Sequence, residues 1–418
     1  MDMRELKALE LAAKAIIVFQ DGAWLVPSQS SNKTYPVTLG TPPSCPCDDF
    51  QLRQQPCKHI MAARLVRQRQ GGETAPEIVA DAVPKRLMYR QNWPVYNLAQ
   101  SIEKHRFQEL LFDLCRGIEE PVRTVRGQKP HTVRDSVFAM VFKVYSTLSS
   151  RRFSCDLKDT HQRGYLFRLM PGTKVCAFFE NAELTPILKD LIIRSSLPLQ
   201  AVETVFAPDS TGFSTSRFVR WFDEKYGVER SGHDWVKAHI ICGVRTNIIT
   251  AVEILGRDAG DCPQFPTLVE TTAQNFTVKE IPSDKGYLSK ENFELAEQIG
   301  ATAFVPFKSN STPGEAGSIW EKMFLYYNYR REEFLQHYHQ RSNAESTFSM
   351  VKAKFRDHVR SRTDVAMKNE VLCKFLAHNI CCVIQSQLEL GIEAVFWPAD
   401  HGTGNEAGAD ILPLQRPS

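Results

Sequence analysis

The sequence predicts an α/β protein whose largest domain, residues 199–365, is built on a mixed β-sheet. Three observations predict it. From Ala201 onward three strand-like segments are followed by alternating helical and strand-like periods. Before that, residues 122–198 carry helical periodicity and an excess of positive charge. The first 70 residues hold short strand-like runs and a tight cysteine cluster, the mark of a small separate module.

The elements follow in chain order. Lys14–Gln20, Ala23–Pro27 and Tyr35–Leu39 read as short strands, and Asp21-Gly22 supplies the positive φ angles of a tight hairpin turn. Cys45-Pro46-Cys47, nine residues and then Cys57-Lys58-His59 form the pattern C-x-C-x9-C-x-H, which runs into a helical segment at Ile60–Leu65. Three thiolates and one imidazole fill a tetrahedral zinc shell and leave no open position, so Cys45, Cys47, Cys57 and His59 are expected to hold one structural Zn2+. Residues 71–121 read as a Gly- and Pro-containing linker and a short helix at 96–115.

Residues 122–194 contain thirteen Lys or Arg and six Asp or Glu, a local +7 in a chain whose net charge is +3. Helices are expected at His131–Leu148, Leu157–Leu169 and Ala182–Arg194, with a break at Ser149–Asp156. A basic helical surface is the electrostatic footprint of a nucleic-acid partner, and Arg151, Arg152 and Arg163 are its candidate phosphate contacts. Residues 199–365 then give strands at Ala201–Ala207, Trp235–Gly243 and Asn247–Leu255. A helix at Pro266–Gln274, a strand at 277–281, a helix at Lys290–Ile299 and a strand at Thr302–Val305 complete the sheet. Lys308–Glu315 reads as a connection able to move. Residues 366–398 supply an apolar helix, Val371–Ile384, whose cysteines act as small hydrophobes, and 399–418 a disordered tail.

Tyr338, Arg341, Glu345 and Lys352 stand in the order Y-x2-R-x3-E-x6-K. On one continuous helix these offsets bring all four side chains within about 60° of a single face. A carboxylate among cations suits one task, holding a divalent metal while the cations grip the phosphates beside a scissile bond. Two further acids stand at the ends of strand-like runs, in Asp209-Ser210-Thr211-Gly212-Phe213 and Asp284-Lys285-Gly286-Tyr287. Asp234, Asp258 and Asp261 read as turn or helix-cap residues and are left outside the site.

In these motifs residues 199–360 resemble the DDE transposases of bacterial and archaeal insertion sequences, in the group defined by the Y-R-E-K signature, and the cysteine pattern resembles a SWIM zinc finger. The resemblance implies a ribonuclease H-like catalytic domain with Asp209, Asp284 and Glu345 as catalytic ligands of two Mg2+ or Mn2+ ions. It implies that Arg341 and Lys352, with Tyr338, contact the DNA backbone at the transposon end, and that Lys237 and His239, which match a Lys-x-His pair of relatives, belong among the DNA contacts. The partners it implies are double-stranded DNA, both terminal inverted repeats and target, with a dimer assembled on the ends. Two alternatives stay open: a catalytically silent DNA-binding descendant, and a metal-dependent nuclease without strand transfer. No uncharged apolar stretch reaches 18 residues and the N-terminus lacks a signal-sequence pattern, so no membrane partner and a cytoplasmic, nucleoid-associated location are expected.

Overall fold

The computed structural model describes residues 3–29, 33–70, 92–121, 130–215, 235–256 and 258–397. Two compact units emerge, one of Met1–Leu87 with Phe304–His339 and one of Met88–Ala303 with Gln340–Ser418. Most of the expected linker, Asp234 and the expected disordered tail lie outside the described residues.

The first unit opens with a helix that the strand-like reading of this region did not anticipate, α1 (Met3–Lys14), so the strand expected from Lys14 begins only at Val18. Its Leu, Ala, Glu and Lys residues are strong helix formers, and Ala8, Leu9, Leu11 and Ala12 are buried. β1 (Val18–Gln20), β2 (Ala23–Pro27) and β3 (Thr34–Val37) form an antiparallel sheet, with Asp21 and Gly22 at φ 50° and 78° in the turn. Helices α2 (Asp48–Arg53) and α3 (Lys58–Gln70) follow.

The second unit begins with α4 (Trp93–Arg116), longer than the helix expected at 96–115 because Asn92 accepts a bond from the Val95 amide and Pro94 suits a first turn. α5 (Val133–Ser146), α6 (Ser150–Gln162), α7 (Gly172–Phe178) and α8 (Leu184–Ser196) build the basic region. The break expected at Ser149–Asp156 is a correction: Ser149 accepts from the Arg152 amide and starts α6 instead of interrupting a helix, and Gly164 at φ 80° follows its end. α7, unexpected from the sequence, stands behind Pro171-Gly172. A Cβ on Gly172 would lie 2.2 Å from the Ser150 carbonyl oxygen, so this glycine permits the close approach of α6 and α7.

β4 (Phe206–Ser214), β5 (Trp235–Gly243) and β6 (Ile249–Leu255) form an antiparallel sheet. The strand expected at Ala201–Ala207 is displaced to residues whose composition suggested a turn. All nine residues of β4 pair with β5, from Phe206 opposite Gly243 to Ser214 opposite Trp235, and this pairing overrides the low strand propensity of Asp, Ser and Gly. Glu203, buried, shapes the β5–β6 turn: Oε1 accepts from the Thr246 amide and hydroxyl, the latter at 2.7 Å.

α9 (Phe265–Ala273), β7 (Glu280–Pro282), α10 (Lys290–Gln298) and β8 (Thr302–Phe304) come next. The single mixed sheet expected here is divided. β7 and β8 form a two-stranded sheet, and β7 meets the larger sheet through a parallel bridge between Val205 and Glu280 and the bond from the Lys279 amide to the Thr204 carbonyl.

After β8 the chain enters the first unit, with α11 (Ile319–Tyr329) and α12 (Arg331–Tyr338). Within that unit Tyr329 anchors α11: the guanidinium carbons of Arg4 and Arg53 lie 4.7 and 4.9 Å from its ring centroid, and its hydroxyl bonds Asp49. Then come α13 (Ser342–Phe355) and α14 (Asp364–Leu390) in the second unit.

α14 is long and apolar enough to span a bilayer by length and composition, yet 78% of that window is buried, so it is a core helix. It packs on α4, α5, α8 and β6. Asn379, buried, locks three elements: its side chain accepts from the Ile249 amide at 2.9 Å and donates to the Ile249 carbonyl and Ser195 hydroxyl. Side chains alternate along β5. Ala238, Ile240 and Cys242 join the core containing α14, whereas the neighbouring Thr250 of β6 reaches Thr272 of α9 at 2.8 Å.

Candidate active site and metal centre

In the first unit the four zinc candidates converge. Cys45 and Cys47 lie on the loop entering α2, Cys57 directly precedes α3, and His59 stands in its first turn. All four are buried, and their ligand atoms lie within 4.8 Å of one another. His59 Nδ1 is 3.9 Å from the sulfurs of both Cys45 and Cys57, close to the edge of about 3.6 Å that Zn–S and Zn–N bonds subtend in a tetrahedron. Hydrogen bonds from Cys45 and then Cys47 pull the Cys57 thiol below its ordinary range. His59 Nε2 is buried without a hydrogen-bond partner. These donors fit zinc.

The second unit holds the acidic residues. Asp209 is in mid-β4 opposite Ile240, and its Oδ1 accepts from the Ser210 amide at 2.9 Å. Asp284 precedes a 3-10 turn, Lys285–Tyr287, and its carbonyl accepts from the Tyr287 amide. Glu345 is in the first turn of α13. Burial pushes the Asp209 carboxyl up to about 6 against the opposing pull of the Ser210 amide and Arg341, and the charges of Glu345 and Asp284 add to the rise. The three acids therefore share one electrostatic neighbourhood.

They are not closed to ligand spacing. Among the described residues, the group whose ligand atoms all lie within 4.8 Å of one another is the Cys3His cluster. Glu345 Oε1 instead accepts from Arg341 Nη2 at 2.7 Å. Carboxylate oxygens are the hard donor set that Mg2+ or Mn2+ takes, burial and then the neighbouring carboxylates raise the proton affinity of Asp209, and the buried Tyr287 hydroxyl beside them has no hydrogen-bond partner. The donor chemistry fits divalent ions.

The single helix expected for Y-R-E-K is a second correction. Tyr338 ends α12, His339–Arg341 form a 3-10 turn, and Glu345 and Lys352 lie on α13. The division between the two compact units falls between His339 and Gln340, where apolar periodicity gives no signal of a tightened turn. Lys352 Nζ donates to Thr211 Oγ1 at 2.7 Å, which fastens α13 to the Asp209 strand.

Asp261 has the sequence context of a turn residue, yet the structure brings it to the site. Lys237 Nζ lies 2.8 Å and His239 Nδ1 3.4 Å from its Oδ1. Burial alone would raise the Asp261 carboxyl, but hydrogen bonds from Lys237 and Ser210 outweigh it and hold the group below its ordinary range. His239 is 0% exposed, so as it stands this residue, expected among the DNA contacts, faces Asp261 and reaches no outside phosphate. The signal for Asp261 was its place just beyond β6, opposite a Lys-x-His strand. Arg151 and Arg152 are exposed on α6, and Arg163, also exposed, bonds His105 at 2.8 Å.

Residues 200–380 match the transposase DDE domain. Residues 35–66 match the SWIM zinc finger. The first match spans all three acids, and the second spans all four zinc candidates. A transposase DDE domain implies polynucleotidyl transfer on bound DNA with divalent metal ions, and hence DNA transposition. No curated protein and no solved structure matches the chain.

Proposed function

We propose that this chain is the transposase of an insertion sequence, which binds the element's terminal inverted repeats, cleaves there and joins the freed 3′ ends to target DNA. The observation that carries the reading is the shared electrostatic neighbourhood of Asp209, Asp284 and Glu345 inside the span matched to the transposase DDE domain. Two Mg2+ or Mn2+ ions held by these carboxylates would supply Lewis-acid activation of the attacking oxygen and of the departing 3′-oxygen.

The chain's own residues do the rest. Asp209 is held in place by the β4–β5 pairing and by the Ser210 amide. Asp261 orients Lys237 and draws on Ser210, which steadies the strand beside Asp209. Arg341, only 20% exposed and paired with Glu345, would supply a cation for a phosphate at the same place. Tyr338 and Lys352 complete the Y-R-E-K group and are assigned to the same DNA end. Two ends joined in one reaction require at least a dimer on DNA.

Incubation of the full chain with Mg2+, labelled DNA from the borders of the coding region and a target plasmid tests the reading. Joined products support it. Cut products without joining make the chain a nuclease, and bound but uncut DNA makes it a silent DNA-binding protein.

A further inference from the structure

A cavity of the second unit lies apart from the acidic site. It measures about 490 Å³ and lies between the basic helical region and the segment that leaves α13. Lys143 and the hydroxyl residues Ser149 and Ser150 line one wall, and Arg356, Arg360, Arg362 and Lys374 line the other. Against these five cations stand two carboxylates, Glu180 and Glu370. Glu370 is already committed, because its oxygens accept from the backbone amides of Arg360 and Ser361 at 2.8 to 3.0 Å.

Two of the cations are held inside. Lys374 is 1% exposed and donates to the carbonyls of Arg356 and His358 at 3.0 and 2.6 Å, and Lys143 is 8% exposed and donates to the Leu148 carbonyl. Carbonyl dipoles tether these ammonium groups without neutralising them. Arg356 and Arg360 likewise bond the Thr147 and Leu148 carbonyls, at 3.3 and 3.2 Å. Burial lowers the proton affinity of Lys143, Lys374 and Arg360; neighbouring arginines lower each as well, Glu370 opposes the fall in all three, and the net shift stays downward, the response of cations that outnumber their counter-charges. A protein that holds five cations around a cavity of this size stabilises them most directly by admitting an anion.

We propose that this cavity binds a phosphate group, gripped by Arg360 and Arg362 at its mouth and by the field of Lys143, Arg356 and Lys374 within. Tetrahedral oxyanions suit this set, since guanidinium groups recognise phosphate bidentately and the serine hydroxyls add neutral donors. The phosphate has two sources, a DNA backbone or a free nucleotide. The position of the cavity favours DNA. The Val359 amide donates to the Ser214 carbonyl at 2.9 Å and the Ser214 amide to the Asp357 carbonyl at 3.1 Å, so the cavity wall extends the strand that carries Asp209. Along that strand Ser214 and Asp209 are about 17 Å apart, the axial length of roughly five base pairs of one DNA strand.

The test uses the full chain and an Arg360→Gln/Arg362→Gln variant, both exposed positions whose backbone bonds the change leaves in place. Thermal unfolding is followed with millimolar inorganic phosphate, a mononucleotide and, at matched ionic strength, chloride. Duplex DNA affinity is measured against salt. A DNA source predicts that the variant lowers the slope of log affinity on log salt by about 0.9 for each phosphate it no longer neutralises. A nucleotide source predicts that phosphate and nucleotide stabilise the wild type over chloride, that the variant loses this, and that the DNA slope is unchanged. If chloride stabilises as well as phosphate and the variant keeps the wild-type slope, the cavity is not a phosphate site. This outcome is independent of cleavage, so it stands or falls apart from the transposase reading.

Discussion

Arg341 Nη2 lies 2.7 Å from Glu345 Oε1, one helical turn apart, so the carboxylate assigned to metal is held by the cation assigned to DNA. With Glu345 57% exposed, such a pair contributes only about 0 to 1 kcal/mol and is readily exchanged for a stronger partner. If Glu345 holds a metal, Arg341 would be freed to pair with phosphate.

Arg341→Ala should change stability by less than about 1 kcal/mol and leave metal binding intact. In DNA titrations with Mg2+ it should lower the salt slope by about 0.9, and without metal by clearly less, because the guanidinium is then engaged by Glu345. Equal slopes for variant and wild type with metal present would remove Arg341 from the DNA interface.

Asp209→Asn should abolish cleavage yet leave DNA binding largely intact, since metal ligation is separate from most phosphate contacts. Asp284→Ala and Glu345→Ala should do the same. Asp209 also carries a stability signature. Its folded carboxyl at about 6 lies above its ordinary 3.8, so the folded state binds the proton more tightly. The associated stability is full below about pH 4 and lost as pH rises through about 6, at a cost on the order of 3 kcal/mol. In chelator, Asp209→Asn should therefore be more stable than wild type at pH 7.5, with the gain gone at pH 4. Denaturant unfolding at the two pH values reads it.

The protein should hold one zinc, lost in Cys47→Ser/Cys57→Ser. So small a module buries too little apolar surface to stand without its metal. Because α11 and α12 belong to the same compact unit as the finger, zinc removal should raise hydrogen exchange in Ile319–Tyr329 and Arg331–Tyr338 as well as in residues 3–70. Exchange in β4, β5 and α14 should stay slow. Zinc-free protein with unchanged exchange in α3 would refute a structural zinc.

His378 gives a pH prediction of opposite sign to Asp209. Burial lowers its imidazole from 6.5 to about 4, with Nε2 2.9 Å from the Asn247 carbonyl oxygen. The unfolded chain takes up the proton first, so stability falls as pH drops through about 6.5 and levels off below about 4. Between pH 7 and 5 this group should cost about 2 kcal/mol. His378→Gln should lose correspondingly less stability over that interval in urea unfolding.

The parts legible in sequence were those set by local chemistry. Asp21-Gly22 announced its turn, and Trp235–Gly243 its strand, because their φ demands and β-branched runs are local. The Cys3His cluster was legible because zinc coordination leaves a spacing. What stayed hidden depends on partners far along the chain. β4 runs through Asp209 because β5 supplies nine pairing residues, and Asp261 joins the site because Lys237 reaches it from β5. The path of Phe304–His339 into the finger's unit rests on contacts such as Tyr329 with Arg4, at a separation no periodicity reports.

Lys352 is where two roles can be separated most cleanly. Its ammonium bonds Thr211 Oγ1 at 2.7 Å and lies 5.5 Å from the Phe213 ring centroid, so it fastens α13 to the Asp209 strand as well as offering charge to DNA. Lys352→Met keeps the stem and removes both the bond and the charge, whereas Thr211→Val removes only the bond. If Lys352 grips a phosphate, Lys352→Met should lower the salt slope by about 0.9 while Thr211→Val leaves it unchanged. An interaction made only in the transition state would instead slow cleavage and spare affinity in Lys352→Met alone. Should Thr211→Val reproduce the full cleavage defect of Lys352→Met with both slopes at wild-type value, Lys352 is an anchor of α13 and its assignment to the DNA end fails.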